Sequence, residues 1–281
     1  MGKSFFNEKI IEKINNSMKV APYRALENLE EYLISHPLDY TARVIYAEHL
    51  ISLGRYEDAK EMLDYVELSI KTDQKYYKYK DKIEKINLNL VEAHIKLALY
   101  TKEYQEAFTL MTQNFHLLKD NDRHMHVPIM VCRKELGILT EDEEKYADYY
   151  LMSQIYDYKE ERFIDHIQKH LSTSNMSEEE KSLAIFNEEF PIQEVYEYIK
   201  NNLDKCIPLH NGYVENVYYF KYDFCGRCER KVTDYFKLVV FHNNQGFITM
   251  YPTLEGRFMP YMDLNYLKLK EQDKVLAKRN Q

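Results

Sequence analysis

Two groups of side chains in the part of the sequence after residue 205 are of types that could do chemistry. The first consists of metal ligands: Cys225 and Cys228 form a Cys-x-x-Cys pair, and Cys206 and His210 precede them with Cys-x-x-x-His spacing. Four thiolate and imidazole ligands complete a tetrahedral structural zinc site. The two pairs are unusually spaced for a named zinc fold. Two alternatives therefore stay open: the cysteines bind no metal, or the Cys-x-x-Cys pair has a redox function. The expected cofactor is none or structural zinc.

The second group consists of basic and phenolic side chains that lie close together in sequence: Lys237, His242, Tyr251 and Arg257. In such a set the imidazole moves a proton while a cation stabilises charge on a phosphate, which is the chemistry of RNA cleavage. In the alternative interpretation, His242 caps a strand end, Lys237 is solvated and the tyrosines pack in a core. Whether the chain is an enzyme is left open by these residues.

The elements that must position these side chains change type near residue 205. Upstream, apolar residues recur with helical spacing, and downstream they alternate with a period of two. The sequence therefore predicts an α+β protein with an N-terminal helical domain at residues 1–205 and a small β-rich domain at residues 206–281.

The β-rich domain is expected to be an antiparallel meander covered by a helix at 193–204 or 262–275. Strands are predicted at 217–224, 233–242 and 247–251. In the first strand, Tyr218, Phe220, Tyr222 and Phe224 are expected to share one face. The segment from Cys225 to Cys228 is predicted to be a tight turn between strands.

Small and large residues in the helical part follow a recognisable order, with Pro37, Ala47, Leu50, Gly54, Tyr56 and Ala59 in sequence. Tyr104 and Ala107 repeat the spacing of Tyr56 and Ala59, although the two patterns lie further apart than the roughly 34 residues of a regular repeat. Residues from about 20 to 115 thus resemble tetratricopeptide (TPR) repeats. That resemblance implies a helical solenoid whose concave groove holds a protein or peptide, and a plain helical bundle stays open as the alternative.

A looser resemblance concerns the predicted sheet. The runs Tyr235 to His242 and Phe247 to Pro252 are similar to the sheet of small bacterial ribonuclease toxins of the RelE/barnase-like group. This resemblance implies that RNA is cleaved or bound at the C-terminal module.

Charge and composition restrict the classes of partner. The formal net charge of −8 argues against a simple nucleic-acid binder, although basic residues outnumber acidic ones from residue 210 onwards. With only 7 glycines, the chain contains no glycine-rich phosphate loop. No apolar run approaches the ~18 residues of a spanning helix, so we expect a cytoplasmic protein without a membrane partner.

Two functions of different classes follow. The first is a protein-interaction scaffold or sensor that uses the TPR-like groove and makes a second contact through the β module. The alternative is an RNA-cleaving or RNA-binding effector with its site on that module.

Overall fold

The computed structural model describes residues 2–72, 80–118, 122–144, 160–168, 170–171, 184–206, 208, 215–241 and 246–268. The chain forms two compact units, and we describe each by itself. The helical unit comprises residues 1–14 and 28–157, and the sheet unit comprises residues 15–27 and 158–281. This division differs from the predicted domains at residues 1–205 and 206–281, whose independence as folding domains stays a prediction.

The first part of the chain is helical, and most strands lie in the last part, with an α-helix between the first two strands. The helices are α1 (Gly2–Met18), α2 (Pro22–Ser35), α3 (Tyr40–Ser52), α4 (Tyr56–Thr72), α5 (Lys80–Tyr100), α6 (Tyr104–Gln113), α7 (Phe115–Leu118), α8 (Asp122–Glu135), α9 (Glu160–Gln168) and α10 (Ile192–Asn202). The strands are β1 (Ala184–Phe186), β2 (Glu215–Cys228), β3 (Lys231–Phe241), β4 (Phe247–Thr253) and β5 (Met262–Asp263). The predicted α+β class, helical first and with an antiparallel sheet at the end, is confirmed. Among the helices of the described residues, none is long and apolar enough to cross a bilayer.

Three helix ends in the helical unit are closed by the same backbone motif. At Gly54, Lys102 and Gly137 the chain takes a positive φ of 72°, 63° and 64°. In each case the next amide donates to the carbonyl five residues back, with N···O distances of 2.9, 2.8 and 3.0 Å for Arg55 to Leu50, Glu103 to Ala98 and Ile138 to Arg133. This is the Schellman motif, which satisfies carbonyls that the helix leaves without a partner. It ends α3, α5 and α8.

Buried alanines let the helices of this unit pack closely. Ala47 on α3, Ala59 on α4 and Ala107 on α6 have no exposed surface. In the helical unit α3 packs against α4 and α5, α5 packs against α6, and α6 packs against α8. Ala47 and Ala59 therefore lie in the interior of the helical unit and not at its surface.

The sheet unit is built on an antiparallel sheet in the order β1-β2-β3-β4, with β5 added parallel to β2. One face of this sheet carries its apolar core, because Tyr218, Phe220, Phe236, Leu238 and Met250 pack with residues of α9 and α10. The helix predicted to cover the sheet is thus α10, which contributes Val195, Tyr196 and Ile199.

The end of β2 differs from the prediction. A register shift between Lys221 and Gly226 turns Phe224 outwards, where its side chain is 68% exposed and its φ is 57°. The predicted tight turn at Cys225 to Cys228 is wrong, since these residues continue β2, and Gly226, Arg227 and Cys228 pair with both β1 and β3. Gly226 serves close packing there, because a Cβ atom would lie 2.3 Å from the carbonyl oxygen of Ile185.

The repeated helix ends give a stability prediction. Lys102 occupies a left-handed position that costs a residue with a Cβ about 1–2 kcal/mol, while glycine adds entropy to the unfolded chain. We expect Lys102→Gly to raise the free energy of unfolding in urea by about 0.5–1 kcal/mol. The matched change Gly54→Lys should lower it by a similar amount. If both substitutions changed the free energy of unfolding in the same direction, the two positions would not share the left-handed helix-end motif.

Candidate functional site

A cleft of about 470 Å³ opens between α4, α5 and α6 in the helical unit. Its charged lining is unbalanced, because Lys60 is the one Lys or Arg residue among the described lining residues. The acidic lining residues are Glu57, Asp64, Glu67, Glu103 and Glu106. We call this feature the acidic cleft.

Apolar side chains complete the lining of the acidic cleft. They are Leu90, Val91, Leu97, Ala98 and Leu110. A second hollow of about 670 Å³ shares Glu103, Glu106 and Leu110 with it and reaches Leu136. Both hollows therefore adjoin α6, and the second one lies between α6 and the end of α8.

Negative charge in the acidic cleft is crowded enough to alter titration. A hydrogen bond with the Glu106 carboxylate raises the pKa of Glu103. Two carboxylates in contact repel each other when both are ionised, so the pair retains a proton more readily than an isolated carboxylate. A cation from a ligand would remove that repulsion.

Three metal-ligand side chains meet at one side of the acidic cleft. Asp64 and Glu67 lie three residues apart on α4, where they share a helix face, and His94 projects from α5. One ligand atom from each of the three lies within 4.8 Å of the others. Burial lowers the pKa of His94 despite the nearby carboxylates. The imidazole is therefore neutral near pH 7 and keeps a lone pair for coordination.

The spacing of residues in the sequence does not predict this trio. Its signal was an Asp-x-x-Glu pair within the helical pattern of α4, but such pairs are common on solvated helices. The third ligand, His94, lies in a different helix, and only the packing of α4 against α5 brings it near. Sequence spacing alone does not report that contact.

In the sheet unit, two of the predicted catalytic residues are neighbours on the sheet face opposite the apolar core. Tyr219 on β2, Lys237 on β3 and Tyr251 on β4 are register partners and form one row across the strands. We call them the lysine row. The ammonium of Lys237 lies 4.6 Å from the ring centre of Tyr251, a cation–π contact.

The lysine row is covered by residues 15–27. Tyr23 packs edge-on against Tyr219, with ring centres 5.6 Å apart, and the hydroxyl of Tyr251 donates to the carbonyl of Lys19. Lys237 is only 9% exposed, and burial lowers its pKa from 10.5 to about 8. The interpretation in which Lys237 is solvated is therefore wrong, because the segment of residues 15–27, far upstream in sequence, closes this face.

Two histidines lie beside the lysine row: His166 on α9 and His170 just after the end of that helix. The Nε2 atom of His166 lies 3.0 Å from the hydroxyl of Thr249, and the ring of His170 is 6.0 Å from that of Tyr251. The Nδ1 atom of His170 is 3.2 Å from the carbonyl oxygen of Ala184. Both imidazoles thus already have polar partners within the sheet unit.

The remaining members of the predicted catalytic set do not extend the lysine row. His242 lies outside the described residues. Arg257 follows β4 and pairs with Glu27, to which it donates from its backbone amide at 2.6 Å and from Nε at 3.4 Å. The proposed RNA-cleaving role of the four residues stays a prediction.

The three described cysteines of the predicted zinc set have separate surroundings. Cys206 contacts the sulfur of Met262 at 3.6 Å, and Cys225 donates to the carbonyls of Thr233 and Tyr235 at 3.4 and 3.3 Å. Cys228 instead packs with Val20, Ala21, Ala184 and Leu254. Among the residues that the structure describes, the three thiols do not form a set of ligand atoms within 4.8 Å.

Burial keeps these thiols protonated. It raises the pKa of Cys206 to about 11 and that of Cys228 to about 12, and it raises that of Cys225 further. Protonated, inaccessible thiols are poor nucleophiles, so the redox alternative gains no support from their surroundings. His210, the fourth predicted ligand, lies outside the described residues, and the zinc set stays a prediction.

Comparison with known proteins adds no relative. Models of protein families, curated proteins and solved structures all give no match to this chain. The resemblances to TPR repeats and to ribonuclease toxins therefore stay predictions, carried by the residues quoted for them.

The buried ammonium of Lys237 gives a pH-dependent prediction. Below pH 8 the folded state must hold a buried charge, which costs about 3 kcal/mol relative to the unfolded chain. Lys237→Met should therefore raise the free energy of unfolding at pH 7 by about 2 kcal/mol, after about 1 kcal/mol is subtracted for the lost cation–π contact.

The sign of this effect follows from proton binding. Between pH 8 and about 10.5 the unfolded chain holds a proton that folded Lys237 has released, so the wild type gains stability as the pH rises. The advantage of Lys237→Met should shrink across that window. Urea unfolding at pH 7 and pH 10 measures it, with exposed Lys231→Met on the same strand as the control. A difference independent of pH would show that Lys237 is not a buried cation.

Proposed function

We propose that this protein is an interaction scaffold whose helical unit binds a basic peptide segment of a partner protein in the acidic cleft. The observation that carries the proposal is the concentration of carboxylates beside apolar side chains in a cleft between α4, α5 and α6. A peptide with Lys or Arg beside an apolar side chain is complementary to such a surface.

The hairpins themselves support a TPR-like arrangement. The turn from α3 to α4 and the turn from α5 to α6 share the Schellman closure, an initial tyrosine at Tyr56 or Tyr104, and a buried alanine at Ala59 or Ala107. Repeats of this kind line a continuous groove with the same faces of successive hairpins. We propose that α3 to α8 form such a solenoid and that the acidic cleft is part of its groove.

A second contact is proposed for the sheet unit. Phe224 and Phe258 are 68% and 89% exposed, and both residues have a positive φ, of 57° and 62°. Holding a bulky residue in the left-handed region costs free energy, and such positions cluster at functional sites. Exposed aromatic side chains are preferred anchors in protein interfaces. We propose that they contact a protein partner.

The proposal that the sheet unit cleaves RNA has less support from the described residues than the scaffold proposal. Lys237 lies under residues 15–27, and the hydroxyl of Tyr251 is already bonded to the carbonyl of Lys19. A general acid–base site needs its groups within reach of the substrate. The scaffold is therefore the function we favour.

The proposed function can be tested by selecting, from a displayed library of random peptides, those that bind the full chain. We expect enriched sequences to combine Lys or Arg with an apolar residue, and a labelled enriched peptide to bind in an anisotropy titration. Glu103→Gln with Glu106→Gln should weaken that binding about fivefold, because two charge pairs at a partly exposed site are each worth about 0.5 kcal/mol.

The control is Glu141→Gln with Asp142→Asn, which changes the net charge equally on an exposed helical turn outside the cleft. This pair should leave the affinity unchanged. Equal weakening by both pairs would reveal unspecific attraction to an acidic protein, and enrichment of peptides without basic residues would refute a basic ligand.

A further inference from the structure

The trio of Asp64, Glu67 and His94 offers a mixed set of donor atoms. Two carboxylates and one imidazole approach one point from two different helices, with their ligand atoms within 4.8 Å of one another. Within the described part of the chain, no hydrogen bond joins the imidazole to either carboxylate. The three side chains therefore lie close together without hydrogen bonds between the imidazole and the carboxylates. A bound cation would supply an interaction that all three share.

The imidazole provides a second, independent observation. The Nε2 atom of His94 is buried from solvent and has no hydrogen-bond partner among the described residues. A buried polar atom without a partner costs about 1–3 kcal/mol, and such atoms in native proteins often mark an absent ion or water.

Glu67 keeps one carboxylate oxygen outside its ion pair. Lys71 pairs with one oxygen of Glu67 at 2.6 Å, and the second oxygen of that carboxylate is left for a metal. Asp64 is exposed, so its carboxylate is accessible to an ion from solvent.

We propose that Asp64, Glu67 and His94 bind a divalent first-row transition-metal ion, with Zn²⁺ as the ion of choice, in the acidic cleft. An imidazole with two carboxylates is typical of Zn²⁺ or Mn²⁺, whereas Ca²⁺ and Mg²⁺ sites consist of oxygen ligands. Three protein ligands leave at least one coordination position for water or for a donor group of a bound partner. The metal site does not depend on peptide binding.

Calorimetric titration of the full chain with Zn²⁺ tests the site. We expect saturable binding of one ion, and Asp64→Asn or His94→Gln should weaken it at least about 100-fold, since outer-sphere partners alone are worth about 10–100-fold. Glu61→Gln, an exposed carboxylate on the same helix, is the control and should bind like the wild type. Because Asp64 is exposed, its variant keeps the test valid even if His94→Gln misfolds.

Co²⁺ distinguishes this site from the cysteines. We expect bound Co²⁺ to give d–d bands without the charge-transfer absorption of a thiolate ligand, and to be displaced by Zn²⁺. The proposal is overturned if Zn²⁺ shows no saturable binding, if both ligand variants bind like the wild type, if a thiolate band appears, or if Mg²⁺ and Ca²⁺ bind as tightly as Zn²⁺. None of these measurements involves a peptide, so their failure is separate from a failure of the proposed function.

Discussion

The close approach of helices at alanine positions is the constraint on which the helical unit depends. Ala59 on α4 and Ala107 on α6 have no exposed surface, and each follows a Schellman turn that sets the direction of its helix. A larger side chain at either position would separate the helices, because protein interiors have little spare volume. The acidic cleft, and with it the meeting of α4 and α5 ligands, exists only at that separation.

The sheet unit is organised by a different constraint, the burial of a charge. Lys237 contributes a cation to a face that residues 15–27 close, and its aromatic neighbours Tyr219 and Tyr251 supply the contacts that make this tolerable. Tyrosine rings bury large apolar area and attract a cation to their faces. The same arrangement that stabilises the row hides it from large substrates, which is why we place partner recognition in the helical unit.

Local features of the fold were predictable from sequence, and features set by distant residues were not. Gly54, Tyr56 and Ala59 lie within one turn and the start of one helix, so their spacing carried the information. The burial of Lys237 depends on a segment more than two hundred residues upstream, and His94 meets Asp64 only through helix packing. The bulge at Phe224 likewise follows from pairing with β3, which period-two alternation within a single strand does not report.

Urea unfolding of Ala59→Leu tests the central constraint most directly. Overpacking a fully buried alanine costs about 1–3 kcal/mol, and we expect the free energy of unfolding to fall by about 2 kcal/mol. Glu61→Leu, an exposed change on the same helix, should stay within about 0.5 kcal/mol of the wild type. An Ala59→Leu variant as stable as the wild type would show that the helices are not held at the separation that forms the acidic cleft.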